Sequence, residues 1–343
     1  MSWSLLWVIP VLVVLVVAHE FGHFIVARWC GVRVKEFAFG FPPRLFARQV
    51  GDTVYAVNAI PLGGYVRLEG EDGESQASDS FAVKPPLQRA AILVAGATMN
   101  LLLVPVLLGL ATLVGEPVMH GVEIQKVQAG SPAAAAHLAP GDVIFAVNGK
   151  EILNDTSISA AITQHPTAAV DLTVWPHGDP AATRAVPVTP RENPPAGQGK
   201  LGIAFTPHMV TVRHAIWEAP LLGVQRTGEI ASLMVSSTKQ AFASRMPIQD
   251  QVVGPPGIAK MTGRAAEAGA GYLLTLMAIL SLNLAIVNLL PFPALDGGRL
   301  AVVFVERLRG KRLNPRVEGV FHMIGFVLLM TLMVFISIRD VTR

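Results

Sequence analysis

The sequence predicts a polytopic α-helical membrane protein: four transmembrane helices, a membrane-associated β-hairpin between the first two, and an extracytoplasmic β-rich domain between the second and third. Three observations predict it. Of the 343 residues, 52% are hydrophobic and only 15% charged, whereas soluble domains carry roughly 25% charged residues. Four apolar stretches, at residues 4–26, 90–114, 272–304 and 318–338, are long enough to cross ~30 Å of hydrocarbon, which takes about 20 helical residues. Basic residues gather in two of the three connections, as expected of loops retained in the cytoplasm.

The first stretch reads as a retained helix. Residues 1–27 contain no Lys or Arg, so they lack the basic region of a signal peptide, and no small-residue cleavage site follows them. Arg28, Arg33 and Lys35 follow this span, and Lys84 and Arg89 precede the second. Arg307, Arg309, Lys311, Arg312 and Arg316 crowd the last connection. Residues 28–88 and 305–317 are therefore expected in the cytoplasm, with both termini and residues 115–270 outside. Lys260, Arg264, Arg339 and Arg343 oppose that scheme.

Between the first two spans, Thr53–Ile60 alternates and is rich in Val, Tyr and Ala. Pro61-Leu62-Gly63-Gly64 has turn chemistry, and Tyr65–Leu68 resumes an extended pattern. This predicts a β-hairpin, followed by a surface loop over Glu69–Ser80. Residues 115–206 alternate short strand candidates (Val122–Val127, Val143–Val147, Val170–Trp175, Arg184–Val188) with Gly, Pro and Asn turns, and 190–200 reads as a loop. From 208 to 247 the pattern is helical, expected along the membrane surface or against the β domain. The third span is over-long and interrupted by Pro291, Pro293 and Gly297-Gly298. It should unwind within the membrane, where protein or a wet cavity covers the freed backbone. The domain reading is 1–114, 115–206, 207–265 and 266–343.

Composition also excludes. A formal net charge of +3, without a basic stripe, gives no case for nucleic acid. A single cysteine, Cys30, rules out an internal disulfide framework; it reads as a small buried hydrophobe at a helix end. There is no internal repeat.

The chemistry concentrates in His19-Glu20-Phe21-Gly22-His23. On a helix, histidines four apart share one face and can reach one metal ion, and the glutamate beside them is placed to take a proton from water. Intramembrane ionisable residues are costly, about 2.5–3.5 kcal/mol for an Asp on insertion scales. Three polar side chains within about one turn therefore need a shared reason. Catalytic zinc takes three protein ligands and leaves one position open. Asp296, in the broken third span, is the candidate for the third; at ~1.5 Å per residue it falls in the same cytoplasmic half of the bilayer as the histidines. The competing account of Asp296 is a helix-end carboxylate paired with Arg299. His120, His137, His165, His177, His208, His214 and His322 show no ligand spacing.

Taken together, His19–His23 and Asn288-Leu289-Leu290-Pro291-Phe292-Pro293-Ala294-Leu295-Asp296-Gly297-Gly298 resemble the site-2 protease family of intramembrane zinc metalloproteases, the bacterial regulator-of-sigma type that carries a PDZ domain. Gly40-Phe41-Pro42-Pro43, Pro61–Val66, Arg89–Asn100 and Val253–Ile258 are similar to further family segments. Where the family has A-G-P-x-x-N, this chain has Ala95-Gly96-Ala97-Thr98-Met99-Asn100. Gly130-Ser131-Pro132-Ala133-Ala134, Leu138–Ile144 and Val147-Asn148-Gly149 resemble a circularly permuted PDZ module, a domain that binds chain ends by adding a strand to its sheet edge.

The resemblance implies one Zn²⁺ per chain held by His19, His23 and Asp296, with Glu20 as the base. It implies residence in the bacterial inner membrane, among lipids. The implied substrates are single-pass transmembrane proteins already trimmed by another protease, anti-sigma factors among them, cut within the membrane. The substrate would be held extended by Val54, Tyr55, Ala56, Val57, Asn58, Gly63, Gly64 and Tyr65, with Asn288 bonding its freed backbone. Two other classes compete. A non-catalytic zinc-binding PDZ adaptor would close its metal with a fourth protein ligand. A metal transporter would spread ligands along several helices.

Overall fold

A computed structural model describes residues 3–71, 75–152, 168–195, 198–243 and 253–342. The chain divides into two compact units, Met1–Val114 with His214–Arg343, and Gly115–Arg213.

The first unit is built on helices α1 (Val8–Trp29) and α2 (Pro86–Val114). Their β-branched and Leu-rich sequences become helices because a helix satisfies every backbone group internally, as lipid demands. Trp3–Trp7 adds a 3₁₀ turn before α1. α1 ends where Gly31 turns left-handed (φ 65°). α2 starts on Pro86, whose missing N–H is no loss at that position, and runs unbroken through Ala95–Asn100.

Thr53–Ile60 and Tyr65–Leu68 are extended as predicted, but they belong to one strand, β2 (Thr53–Leu68), which pairs with β1 (Val34–Val50) and not with itself. The reversal is at Gly51-Asp52, and Pro61–Gly64 lies inside β2. Residues 36–39 are paired on both sides, with 64–67 and with 54–57; residues 46–50 pair with 53–57. Four extended segments therefore lie in the order 64–68, 34–39, 53–57, 46–50. The base of this sheet packs Val34 and Leu68 on Phe24, Ala27, Ile92 and Leu93. Its far end exposes Phe41, Leu45, Phe46 and Val50. The stretch Glu69–Ser80 follows, of which 72–74 lie outside the described residues.

After the second unit come α4 (Ala219–Ala243), α5 (Pro255–Ala268), α6 (Ala270–Leu289), α7 (Asp296–Arg309) and α8 (Pro315–Thr342). Among the described residues four helical segments are long and apolar enough to cross a membrane: Ser4–Trp29, α2, α6 and α8. A further expectation is corrected. The helix placed at 208–247 starts at Ala219, because 203–212 is a strand; 244–247 lie outside the described residues. α4 runs against α2, where a methyl on Gly109 would sit 2.9 Å from the Ala219 carbonyl oxygen. Ile230, Ala231 and Met234 join the cluster of Val11, Leu15, Val104, Leu107 and Leu282. Small residues permit such close helix approach in membranes.

The third span is interrupted where its sequence predicts. α6 stops at Leu289, and α7 restarts at Asp296 after six residues. Prolines 291 and 293 push their predecessors out of helical geometry, and Leu290 is extended at ψ 140°. Gly297 and Gly298 lie so close to the Leu289 and Phe292 carbonyls that a side chain at either would collide with backbone. α7 is fastened by a buried ion pair, Arg89 Nη1 to Glu306 Oε2 at 2.6 Å, both side chains under a tenth exposed.

The second unit is an antiparallel sheet of β3 (Glu116–Val127), β4 (Val143–Val147), β6 (Val170–Trp175), β7 (Arg184–Val188) and β8 (Ile203–Val212), in the order β7-β6-β4-β3-β8, with β5 (Lys150–Glu151) on β4. β8 extends the predicted 115–206 unit to Arg213. Ile124, Ile144, Leu172 and Val174 are its fully buried centre. Helix α3 (Pro132–Ala135) is capped by Ser131, whose Oγ accepts from Ala134 N–H. Asp142, 1% exposed, accepts from Ala139 and His177 N–H groups and holds the Leu138–Asp142 turn. Of the predicted 190–200 loop, 196 and 197 lie outside the described residues.

Removing one partner of a buried ion pair leaves an uncompensated charge, at about 3–5 kcal/mol. Glu306→Ala should therefore destabilise the first unit by about that amount in detergent-micelle unfolding, and Arg89→Met with Glu306→Leu should recover most of it. A single variant as stable as the wild type would show that the pair does not fasten α7.

Candidate metal centre

One turn of α1 supplies both histidines, and the first residue of α7 supplies the carboxylate. His19 Nε2 and His23 Nε2 lie 3.1 and 3.2 Å from Asp296 Oδ2 and 3.2 Å from each other. Among the described residues this is the one cluster of His, Cys, Asp or Glu able to hold a metal ion. The side chains are 10%, 12% and 21% exposed, so the carboxylate is the open side.

Asp296 begins α7, where the helix dipole favours negative charge. Arg299, the competing partner for Asp296, instead pairs with Glu71, beyond β2. That pairing leaves the Asp296 carboxylate to the imidazoles. Ala294, two residues earlier, is held at φ 76°, and its N–H donates to His322 Nδ1 at 3.0 Å. Gly325 of α8 packs against Pro293 in the same loop.

The three side chains fit zinc. Ligand distances of about 2.0–2.2 Å in a tetrahedral set place ligand atoms about 3.3–3.6 Å apart, close to the observed triangle. His23 Nδ1 lies 2.8 Å from the Ile92 carbonyl. A carbonyl only accepts, so Nδ1 carries the proton and Nε2 keeps its lone pair for a metal. Both rings rest on Gly96 of α2, where a methyl group would overlap His23 Nε2 and come within 2.7 Å of His19 Cε1. Among the described residues three protein ligands form the cluster, the number that catalytic zinc sites use.

Glu20 lines the same cavity of about 290 Å³, with His19, His23, Asp296 and, from the sheet, Tyr65 and Val66. A side chain on Gly64 would lie 3.4 Å from Glu20 Cγ, so the outer segment 64–68 runs beside the glutamate. Of the residues expected to hold a substrate, Gly64 and Tyr65 reach the site, and Gly63 adjoins them at φ 105°. Val54, Tyr55, Ala56 and Val57 do not: their segment is paired on both sides, so it offers no free edge. Tyr55 packs on Phe24 and Phe37, and buried Asn58 donates to the Gly40 carbonyl. Asn288, in the last turn of α6, is half-buried and does not line the cavity.

Sequence reasoning gave Gly96, Asn100 and Glu71 no role at the site, and weighed Arg299 as a partner of Asp296 instead of Glu71. Gly96 and Asn100 were legible in principle, since four positions apart on α2 they share a face. The Glu71–Arg299 pair, 228 residues apart in sequence, carried no local signal. Of the other histidines, His120 and His208 edge onto Trp175, His214 pairs with Glu218, and His165 lies outside the described residues.

Comparison with known proteins gives the family. The family model of peptidase family M50 matches residues 7–332. Zinc metalloprotease RasP of Geobacillus kaustophilus is 31% identical over 99% of this chain and 98% of its own length. Relatives named "putative zinc metalloprotease" include one from Clostridium perfringens, 34% identical over 95% of each chain, and one from Nostoc, 33% identical over 99% of this chain and 96% of its own.

Because both imidazoles rest on Gly96, Gly96→Ala should weaken zinc binding by about 10–100-fold, the range seen when ligand orientation is lost. Equilibrium competition with a chelator measures this; unchanged affinity would mean that the rings are not held by α2.

Proposed function

The chain belongs to peptidase family M50, and from that premise we propose that it is a zinc metalloendopeptidase of the site-2 protease type that cuts the transmembrane segments of single-pass proteins inside the bilayer. One observation carries the intramembrane reading: Glu20 and the His19–His23–Asp296 triangle share one cavity within the length of an apolar helix that spans Ser4–Trp29. At ~1.5 Å per residue, His19 lies about 15 Å from the Trp29 end, well below a bilayer surface at that end.

His19, His23 and Asp296 would hold the zinc, which would supply Lewis-acid activation of water and of the scissile carbonyl. Glu20 accepts the proton of the attacking water and returns it to the leaving nitrogen, the usual service of a carboxylate placed beside the reacting atoms. A transmembrane helix hides its peptide bonds, so the substrate must be locally extended first. Among the described residues the outer segment Gly64–Arg67 has no strand on its other side and is suited to pair with the substrate as an added strand. Arg299 and Glu71 line the same cavity and give water a polar way in.

The positive-inside pattern supports a topology with 28–88 and 305–317 in the cytoplasm and the β-rich unit outside, and the family resemblance supports a bacterial inner membrane. In its short capped helix, its Leu138–Asp142 turn and its antiparallel sheet, that unit has parts suited to a PDZ-like module. It would read the end of a substrate already trimmed by another protease. An anti-sigma factor is the substrate class to try first.

Co-expression of candidate single-pass substrates with wild type and Glu20→Gln tests the reaction. The variant should bind zinc normally but cleave about 10²–10⁴-fold more slowly, while His23→Ala and Asp296→Ala lose zinc as well. Equal cleavage by Glu20→Gln and wild type would remove Glu20 from the mechanism.

A further inference from the structure

His23 has an evident partner that fixes its tautomer, the Ile92 carbonyl. The structure points to the corresponding partner of His19. Asn100, on α2 one turn beyond Gly96, is fully buried. Its Nδ2 lies 3.4 Å from His19 Nδ1, and its Oδ1 is one of eight buried side-chain polar atoms without a hydrogen-bond partner among the described residues. We infer that Asn100 is the positioning residue of His19, its amide turned so that Oδ1 accepts the proton of His19 Nδ1 while Nε2 faces the metal.

The argument is one of proton counting. A neutral imidazole carries its proton on one nitrogen. His19 directs Nε2 toward His23 and Asp296, so as a metal ligand it must carry the proton on Nδ1. An amide NH₂ facing that N–H sets donor against donor and also leaves Oδ1 buried and unpaired. A half-turn of the amide exchanges O and N at almost no change in shape. It removes the donor–donor conflict and pairs the oxygen, leaving only the amide hydrogens unpaired. Two defects become one. The Asn100 backbone is anchored separately, its carbonyl accepting from Ser281 Oγ of α6 at 2.8 Å, so the side chain is free for this task while the main chain ties α2 to α6.

This inference rests on the metal reading above, and its experiment separates the two. Zinc affinity of the full chain in detergent is measured by chelator competition for wild type, His23→Ala, Asn100→Leu, Asn100→Asp and Ser281→Ala, with cobalt(II) absorption recorded as a second readout. Asn100→Leu keeps the volume and should weaken zinc by about 10–100-fold and alter the cobalt spectrum. Asn100→Asp restores an acceptor for Nδ1 and should return affinity to the wild-type level or above. Ser281→Ala, which loosens the helices without touching His19, should bind as wild type does. Wild-type affinity in Asn100→Leu would overturn the inference, and so would equal weakness in Asn100→Leu and Asn100→Asp, which marks a packing role only. Wild-type zinc that survives His23→Ala would sink the metal reading, and this inference with it.

Discussion

Three polar side chains held together within an apolar bundle are the constraint around which the first unit is arranged. Left apart, two imidazoles and a carboxylate at this depth would each carry a desolvation cost. Brought to 3.1–3.2 Å of one another, they form one polar cluster that a divalent cation can bridge. The broken third span exists to deliver Asp296: helix α6 stops, two prolines keep the chain from coiling, and two glycines let α7 restart against the carbonyls just left behind.

Helix α2 is the scaffold on which this cluster is built. Gly22 of α1 lies so close to Ala95 that a side chain there would overlap its carbonyl. From that contact α2 presents, one turn after another, the Ile92 carbonyl, the bare backbone of Gly96 and the Asn100 amide. The same helix fastens α7 through Arg89 and Glu306 and α6 through Ser281. Elements far apart in sequence therefore refer their positions to one rigid rod. Precision of that kind is what a metal-assisted hydrolysis needs, because small displacements at the reacting centre cost large factors in rate.

Much of this was legible in the sequence, and what was missed has physical reasons. The histidine pair follows from helix periodicity, and Asp296 from the expense of a carboxylate among apolar residues. The strands Val143–Val147, Val170–Trp175 and Arg184–Val188 were read to the residue because they combine β-branched residues with Gly and Pro boundaries. The hairpin turn was misread because Pro61-Leu62-Gly63-Gly64 has stronger turn chemistry than Gly51-Asp52. Those glycines serve another purpose: a side chain on Gly64 would press on Ala38 and Val16 beside Glu20, and one on Gly63 on the Phe41 ring. Strand pairing is long-range, and no local pattern says that residues 54–57 lie between two neighbours rather than at an edge. The strand at 203–212 was hidden by Pro207, a residue that argues against a strand interior, and Asn100, though part of a family-like segment, had no evident task until His19 was placed beside it.

The central claim is that His19, His23 and Asp296 hold one metal ion together. X-ray absorption at the zinc edge of the purified full chain tests it most directly. The account predicts two imidazole rings in the first coordination sphere, with the remaining scatterers oxygen, all at about 2.0–2.2 Å. A sphere with fewer than two imidazoles, or a scatterer at about 2.3 Å from the sulfur of Cys30, would contradict it.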